Sequence, residues 1–318
     1  MDENTNSVYP ATMKADLEWT EAPAQAYRRW QEAEAVGSAR RPFSARSIVQ
    51  HTAMFERFAR FLRTNCVTVA SFGEDHLESF IAELGRMCAP GTSTALRYAK
   101  LLDRLCRHLV DIGVRADNPA NAFARHGAWP TTEPVPLFLD EAADLRLQAY
   151  VQPASHHGAR DVRNMAVVAL LHATGVTSAE LRRAQRMHVV ADGTRPHIVV
   201  AAHKARGERI VPLAPFALAP LQRWLRAKTG DGAALLFPLE AATGSLSEDT
   251  LWRIVRDALE ATGFDGADMS PRVLRNTFAR RMLLAGRSNE DASRLLGLVS
   301  HRTVVRLRAT IPAPDTPT

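Results

Sequence analysis

Through the first 125 residues, apolar positions recur at the three-and-four spacing of amphipathic helices. In residues 44–65, Ile48, Phe55, Phe58 and Leu62 share one stripe behind a Ser44 cap. The stretch "GEDHLESFIAELGRM" gives a shorter helix, and "GTSTALRYAKLLDRLCRHLVDIG" puts Tyr98, Leu101, Leu102, Leu105 and Leu109 on one face before a stop at Gly113. A first helix from Pro23 to Ala35 tolerates its proline in the first turn. The pattern predicts a four-helix unit. It breaks at "GAWPTTEPVPLFL", whose prolines mark a linker, with the domain boundary placed in 127–137.

Beyond the linker the period changes. "LDEAADLRLQAYV" and the long apolar "GARDVRNMAVVALLHATG" read as helices. "HIVVAA" and "ERIVPL" read as two short strands joined through "HKARG", a hairpin with Lys204 and Arg206 close to its turn. Further helices are expected over 214–228, 248–262, 271–285, 288–296 and 300–309. The fold class is therefore mainly α with a small β-hairpin or sheet in the C-terminal domain, an α+β arrangement. The expected organisation is a flexible tail over 1–20, a helical domain over 21–127, a linker over 128–137, a second domain over 138–310, and a disordered tail over 311–318.

Composition narrows the function classes. The 318 residues carry a formal charge of +6, a modest basic excess that hints at a polyanionic partner. No apolar run is long enough for a membrane span, and the acidic N-terminus lacks the apolar core of a secretory signal. Cys66, Cys88 and Cys106 form no C-x-x-C pair, which fits a reducing cytoplasm. The histidines show no metal-ligand spacing, so no metal, cofactor, small-molecule substrate or membrane partner is expected.

The distribution of charge says more. Nine arginines lie between Ser270 and Thr310 against only Glu290 and Asp291. Arg97, Lys100, Arg104 and Arg107 form a ridge opposite the apolar face of their helix, and Arg46, Arg57 and Arg60 lie off the stripe of the helix over 44–65. A solvated surface is the commoner use of such residues; a pair of DNA-facing helices is the functional one. In "SPRVLRNTFARR", Leu274, Phe278 and Met282 fall within about 200–280° of a helical wheel started at Arg272, which makes them core. Arg272, Asn276 and Ala279 fall on the other side. Arg275 sits at the border, where its stem packs and its fork is held outward for bidentate phosphate binding or a structural ion pair.

Three ordered segments resemble those of the tyrosine recombinases, the phage-integrase-like enzymes that cut and rejoin DNA through a phosphotyrosine. "HATGVTSAEL" is similar to A-T-G-x-R-x-x-E-L, "KARGERIVPL" to K-G-x-x-R-x-x-P-L, and "SPRVLRNTFARRMLLAG" with "LLGLVSHRTVVRL" to S-P-H-x-L-R-H-x-F-A followed by L-G-H and a downstream tyrosine. The helical front end, closed by "NPA" at 118–120, resembles the family's core-binding domain, so the resemblance implies a two-domain DNA clamp.

It also implies a phosphoryl transfer in which two arginines and imidazole-type donors hold charge on the nonbridging oxygens. A hairpin lysine would protonate the leaving 5′ oxygen. Residue by residue, Lys204 and Arg275 match. Thr177 stands at the first arginine, Arg272 at a histidine, Leu298 at the L-G-H histidine and Leu307 at the tyrosine. The four tyrosines, Tyr9, Tyr27, Tyr98 and Tyr150, all precede the first active-site segment. These departures lead to the expectation of a non-enzyme: a double-stranded DNA-binding protein of this fold that does not cleave, acting as a repressor-like regulator or accessory recombination factor of a mobile element. It would sit at the nucleoid of a bacterial or phage-encoded system, through self-association or beside an active recombinase. Its nucleic-acid contacts would be Arg46, Arg57, Arg60, Arg97, Lys100, Arg104, Lys204, Arg206, Arg272 and Arg275. Ser300, His301 and Thr303 lie near the position of the lost tyrosine, but on another turn and without an evident activating base. Two alternatives stand: an active recombinase with a nonstandard or trans-supplied nucleophile, and a protein-interaction module that has lost DNA binding.

Overall fold

The computed structural model describes residues 17–35, 42–88, 92–125, 130, 133–203, 206–227, 234–238 and 244–312. They divide into two compact units on either side of the Pro134–Val135 bond.

The first unit contains α1 (Pro23–Ala33), α2 (Ala45–Thr64), α3 (Glu74–Met87), α4 (Thr94–Asp111) and α5 (Pro119–Arg125). Ser44 caps α2 by accepting from the Ser47 amide at 3.2 Å, which satisfies one of the first-turn donors. Phe55, Phe58, Leu62, Phe80 and Leu102 are fully enclosed, and Phe58 meets Phe72 and Phe80 edge-on. The expected four helices are here, and among the described residues the short α5 is added to them. The short α5 packs on α3 and α4 and buries Ala120 and Phe123, too few residues to show a period in sequence. Arg115, also buried, donates to the Val69 and Phe72 carbonyls at 2.9 and 2.7 Å and pins the α2–α3 loop.

The second unit is built around α7 (Ala159–Thr174), which is apolar on nearly every side. Packed on it are α9 (Leu218–Ala227), α10 (Glu248–Ala261) and α11 (Pro271–Leu284). The unit also holds α6 (Glu141–Tyr150), α8 (Ser178–Arg183), α12 (Asn289–Leu296) and α13 (Arg302–Arg308). The hairpin is widened to three antiparallel strands, β1 (Val189–Val190), β2 (His197–Val200) and β3 (Arg209–Pro212). Ile198 pairs with Val211 in register, and both face the core. β1 is only two residues long and carries no readable alternation. The helix expected from residue 214 opens as a 3-10 turn, Pro215–Ala217, before α9.

One expectation is corrected on α11. Asn276 and Ala279, which the helical wheel puts away from the core, are both buried. A wheel assigns one core face, whereas α11 packs against α7 as well as α10, α12 and α13. Asn276 meets this burial by donating to the Leu137 carbonyl at 2.7 Å.

Across α6, α7 and α11 runs a buried polar chain that no local pattern announces. His172 Nε2 lies 2.6 Å from Asp144 Oδ1, which also accepts from Arg281 at 3.3 Å, and Arg281 donates to the His172 carbonyl. Burial pushes the His172 imidazole below its ordinary value, against the pull of Asp144. The folded chain therefore holds His172 neutral, whereas the unfolded chain protonates it below about pH 6.5. Stability from this group is complete above that pH and declines as pH falls beneath it. Urea titrations at pH 7.5 and 5.5 should give a lower midpoint at the acid pH, and His172→Gln should narrow the gap between them.

Candidate functional site

The second unit brings several charged side chains together where the ends of three elements meet. Gly175 closes α7 in the left-handed region at φ 62°, and a Cβ there would lie 2.5 Å from Phe278. Glycine lets the chain turn tightly under α11. Thr177 then caps α8: the Glu180 amide donates to its Oγ1 at 3.3 Å, and its own amide and hydroxyl donate to Glu180 Oε2 at 2.8 and 3.0 Å.

Glu180 reaches the hairpin. Arg209 of β3 grips it with both terminal nitrogens at 2.9 and 3.0 Å, and Arg206 approaches at 3.5 Å. Burial alone would raise the Glu180 carboxyl. The Arg209 fork and the Thr177 bonds win, and hold it at about 2.

Arg275 enters from α11. Its hydrogen bonds go to backbone carbonyls, those of Gly175 and of Leu296 at the end of α12. Arg209 Nε donates to the neighbouring Leu295 carbonyl at 2.8 Å. Two guanidiniums thus sit on the negative end of α12. The left-handed Gly297 makes room for this, since a Cβ there would lie 2.6 Å from Arg209. Burial lowers the Arg275 pKa to about 10, with Arg206 and Arg209 pushing the same way and Glu180 opposing. Three guanidiniums share one carboxylate, so the cluster carries excess positive charge in a largely desolvated place. Such an arrangement can bind an anion and hold charge that develops on it.

The other predicted positions fall as follows. Lys204 lies outside the described residues. Arg272 sets Nε and a terminal nitrogen on Asp268 Oδ2 at 3.0 and 2.6 Å, with its side chain 42% exposed. Leu298 is half-buried against the core and Leu307 is wholly buried beside Val304. Near the start of α13, His301 Nδ1 lies 2.8 Å from Ser293 Oγ, and Ser300 is exposed. Sequence reasoning passed over Glu180 and Arg209. The first was legible, because T-x-x-E at 177–180 is a capping-box pattern. The second stands at the arginine of the hairpin segment. Among the described residues no cluster could hold a metal ion.

In the first unit, Arg46, Arg60, Arg97 and Lys100 are exposed on α2 and α4. Arg57 and Arg104 are half-buried: Arg57 lies 3.8 Å from Glu83, and Arg104 covers the Phe43 ring at 4.9 Å. His51 of α2 lies close enough to Arg104 and Arg97 that burial first, and then those two charges, lower its pKa. His51 of α2 therefore adjoins the basic residues of α4.

Residues 143–309 match the phage integrase family, and the chain belongs to that family. It is 28% identical over 228 residues to a tyrosine recombinase XerD of Caulobacter vibrioides, covering 70% of this chain and 72% of the relative. It is likewise 28% identical to XerD of Mycobacterium tuberculosis over 281 residues, covering 83% and 86%. The fold is shared with a lambda integrase dimer bound to a COC′ core site at a TM-score of 0.63 and 16% identity, covering 98% of this chain and 85% of the other. XerH bound to a palindromic difH substrate gives a TM-score of 0.61 at 14% identity, covering 94% and 91%. Among the described residues no helix is long and apolar enough to cross a membrane.

These relatives correct the expectation of a non-enzyme. The chain aligns along most of its length with proteins named as recombinases, which are enzymes.

Glu180→Ala should leave the buried Arg209 charge without its counter-ion and cost about 3–5 kcal/mol in urea unfolding. In the unaltered chain, the Glu180 contribution is complete above about pH 4.5 and lost as pH falls toward 2.

Proposed function

We propose that this chain is a site-specific recombinase acting on duplex DNA, which grips a backbone phosphate at Arg275 and exchanges strands through a nucleophile other than a tyrosine of α13. The observation that carries this reading is the Arg275 cluster: a half-buried guanidinium oriented by two carbonyls, in a site with more positive charge than its one carboxylate balances. A phosphodiester is the anion such forks fit. Relatives named XerD and neighbours solved on core-site and difH DNA support the same substrate.

In the step itself, an oxygen nucleophile forms a bond to phosphorus as the bond to the 5′ oxygen breaks. The nucleophile gives up its proton and the leaving oxygen gains one. Arg275 holds the charge on the nonbridging oxygens, and Lys204 is assigned as the proton donor on the family resemblance. The attacking oxygen comes from Ser300, ahead of α13, from Thr303 in its first turn, or from a second chain on the same site. The exposed Arg46, Arg60, Arg97 and Lys100 add phosphate contacts that set affinity and its salt dependence without reading sequence.

Genomic fragments recovered on the purified protein, with half of each sample stripped by detergent, test the reading. It requires discrete fragments that survive detergent attached to this chain, with the linked residue identified by mass spectrometry. Fragments that all wash off would contradict strand exchange, and no enrichment would contradict DNA binding. Arg97→Glu with Lys100→Glu should cost a large, salt-dependent part of the affinity. Arg275→Ala should weaken all sequences about equally.

A further inference from the structure

Position 177 lacks the guanidinium that the family resemblance implies there, and Thr177 cannot take its place. Its amide and hydroxyl both donate to Glu180, and its hydroxyl accepts from the Glu180 amide. The carboxylate that engages Thr177 also draws in the arms of the hairpin, so guanidiniums arrive beside position 177 from another element.

Two candidates are already committed. Arg209 has its side chain 6% exposed and uses both terminal nitrogens on Glu180 and its Nε on the Leu295 carbonyl. Arg272 sets its fork on Asp268. Arg206 differs from both. Its contact to Glu180 is long, at 3.5 Å, to an oxygen that Arg209 occupies at 2.9 Å, and its side chain is 36% exposed. Its backbone is fixed all the same: Arg206 and His203 exchange amide-to-carbonyl bonds of 2.9 and 3.1 Å across the end of the hairpin. Arg206 also lies near enough to Arg275 for the two charges to repel, a repulsion that an anion between them would relieve.

We infer that Arg206 is the second phosphate-holding guanidinium of this site, supplied by the hairpin where position 177 carries threonine. The inference rests on the proposed recombinase reading. It goes beyond it in naming a residue that holds the reacting phosphate together with Arg275, with Glu180 and Thr177 positioning the hairpin arm.

The test measures binding of a duplex carrying a recovered fragment across a range of salt concentrations, for the unaltered chain, Arg206→Ala and Arg206→Lys. Each phosphate contact contributes about one to the slope of log affinity against log salt. Arg206→Ala should lower that slope by about one and weaken binding several-fold near physiological salt. Arg206→Lys should keep the slope and recover only part of the affinity, since an ammonium is a point charge without a fork. Thermal melting checks that both variants stay folded, and should Arg206→Ala unfold, the lysine variant carries the comparison alone. An unchanged slope in Arg206→Ala would overturn the inference, as would full recovery of affinity by lysine. If the unaltered chain binds no fragment, the recombinase reading itself has failed, and that failure shows before any variant is measured.

Discussion

A single buried carboxylate, Glu180, organises the charged site of the second unit. It closes the N-terminal turn of α8 through Thr177, takes both prongs of Arg209 from β3, and draws Arg206 toward the same oxygen. Its own desolvation is unfavourable, and the Arg209 and Thr177 bonds outweigh it. The end of α12 supplies the complementary constraint, since its last carbonyls orient Arg209 and Arg275. The hairpin, α8, α11 and α12 are thus joined by polar bonds at a place where positive charge is left over. Excess charge held this rigidly is suited to an anion that gains charge during reaction, because the donors need not reorganise as it develops.

Which residues face the core was legible in sequence for the helices with a single buried stripe. In α4, Tyr98, Leu101, Leu102, Leu105 and Leu109 are all buried, as their spacing requires. Legibility ended where helices pack on more than one side. The buried Asn276 and Ala279 of α11 could not be placed by a wheel that allows one core face. It also ended at short elements, α5 and β1, whose length holds too few residues for a period, and at long-range polar chains such as Asp144–His172–Arg281. In the site, Arg275 was readable as a border residue with a held fork. Its actual partners, two carbonyls from different segments, were not, because backbone carbonyls leave no mark in a sequence. The capping-box pair Thr177 and Glu180 was readable in principle.

The departures from the family pattern look different beside the geometry. Threonine at position 177 contributes a cap that steadies Glu180, and the hairpin delivers a second guanidinium to the neighbourhood of that position. Leucine at position 307 is packed wholly into the core beside Val304, so α13 keeps its seat while offering no nucleophile there. The folded frame and the charged cluster at Arg275 are therefore separable from the residue at position 307. That separation reconciles a chain aligned with named recombinases with the absence of a tyrosine after Tyr150.

The most direct measurement replaces one backbone phosphate at a time with a neutral methylphosphonate along a recovered duplex and compares the unaltered chain with Arg275→Ala. A phosphate gripped at Arg275 predicts one position per half-site where the neutral group weakens the unaltered chain and adds nothing to the loss in Arg275→Ala. If the two losses instead add at every position, Arg275 holds no phosphate and the central claim is contradicted.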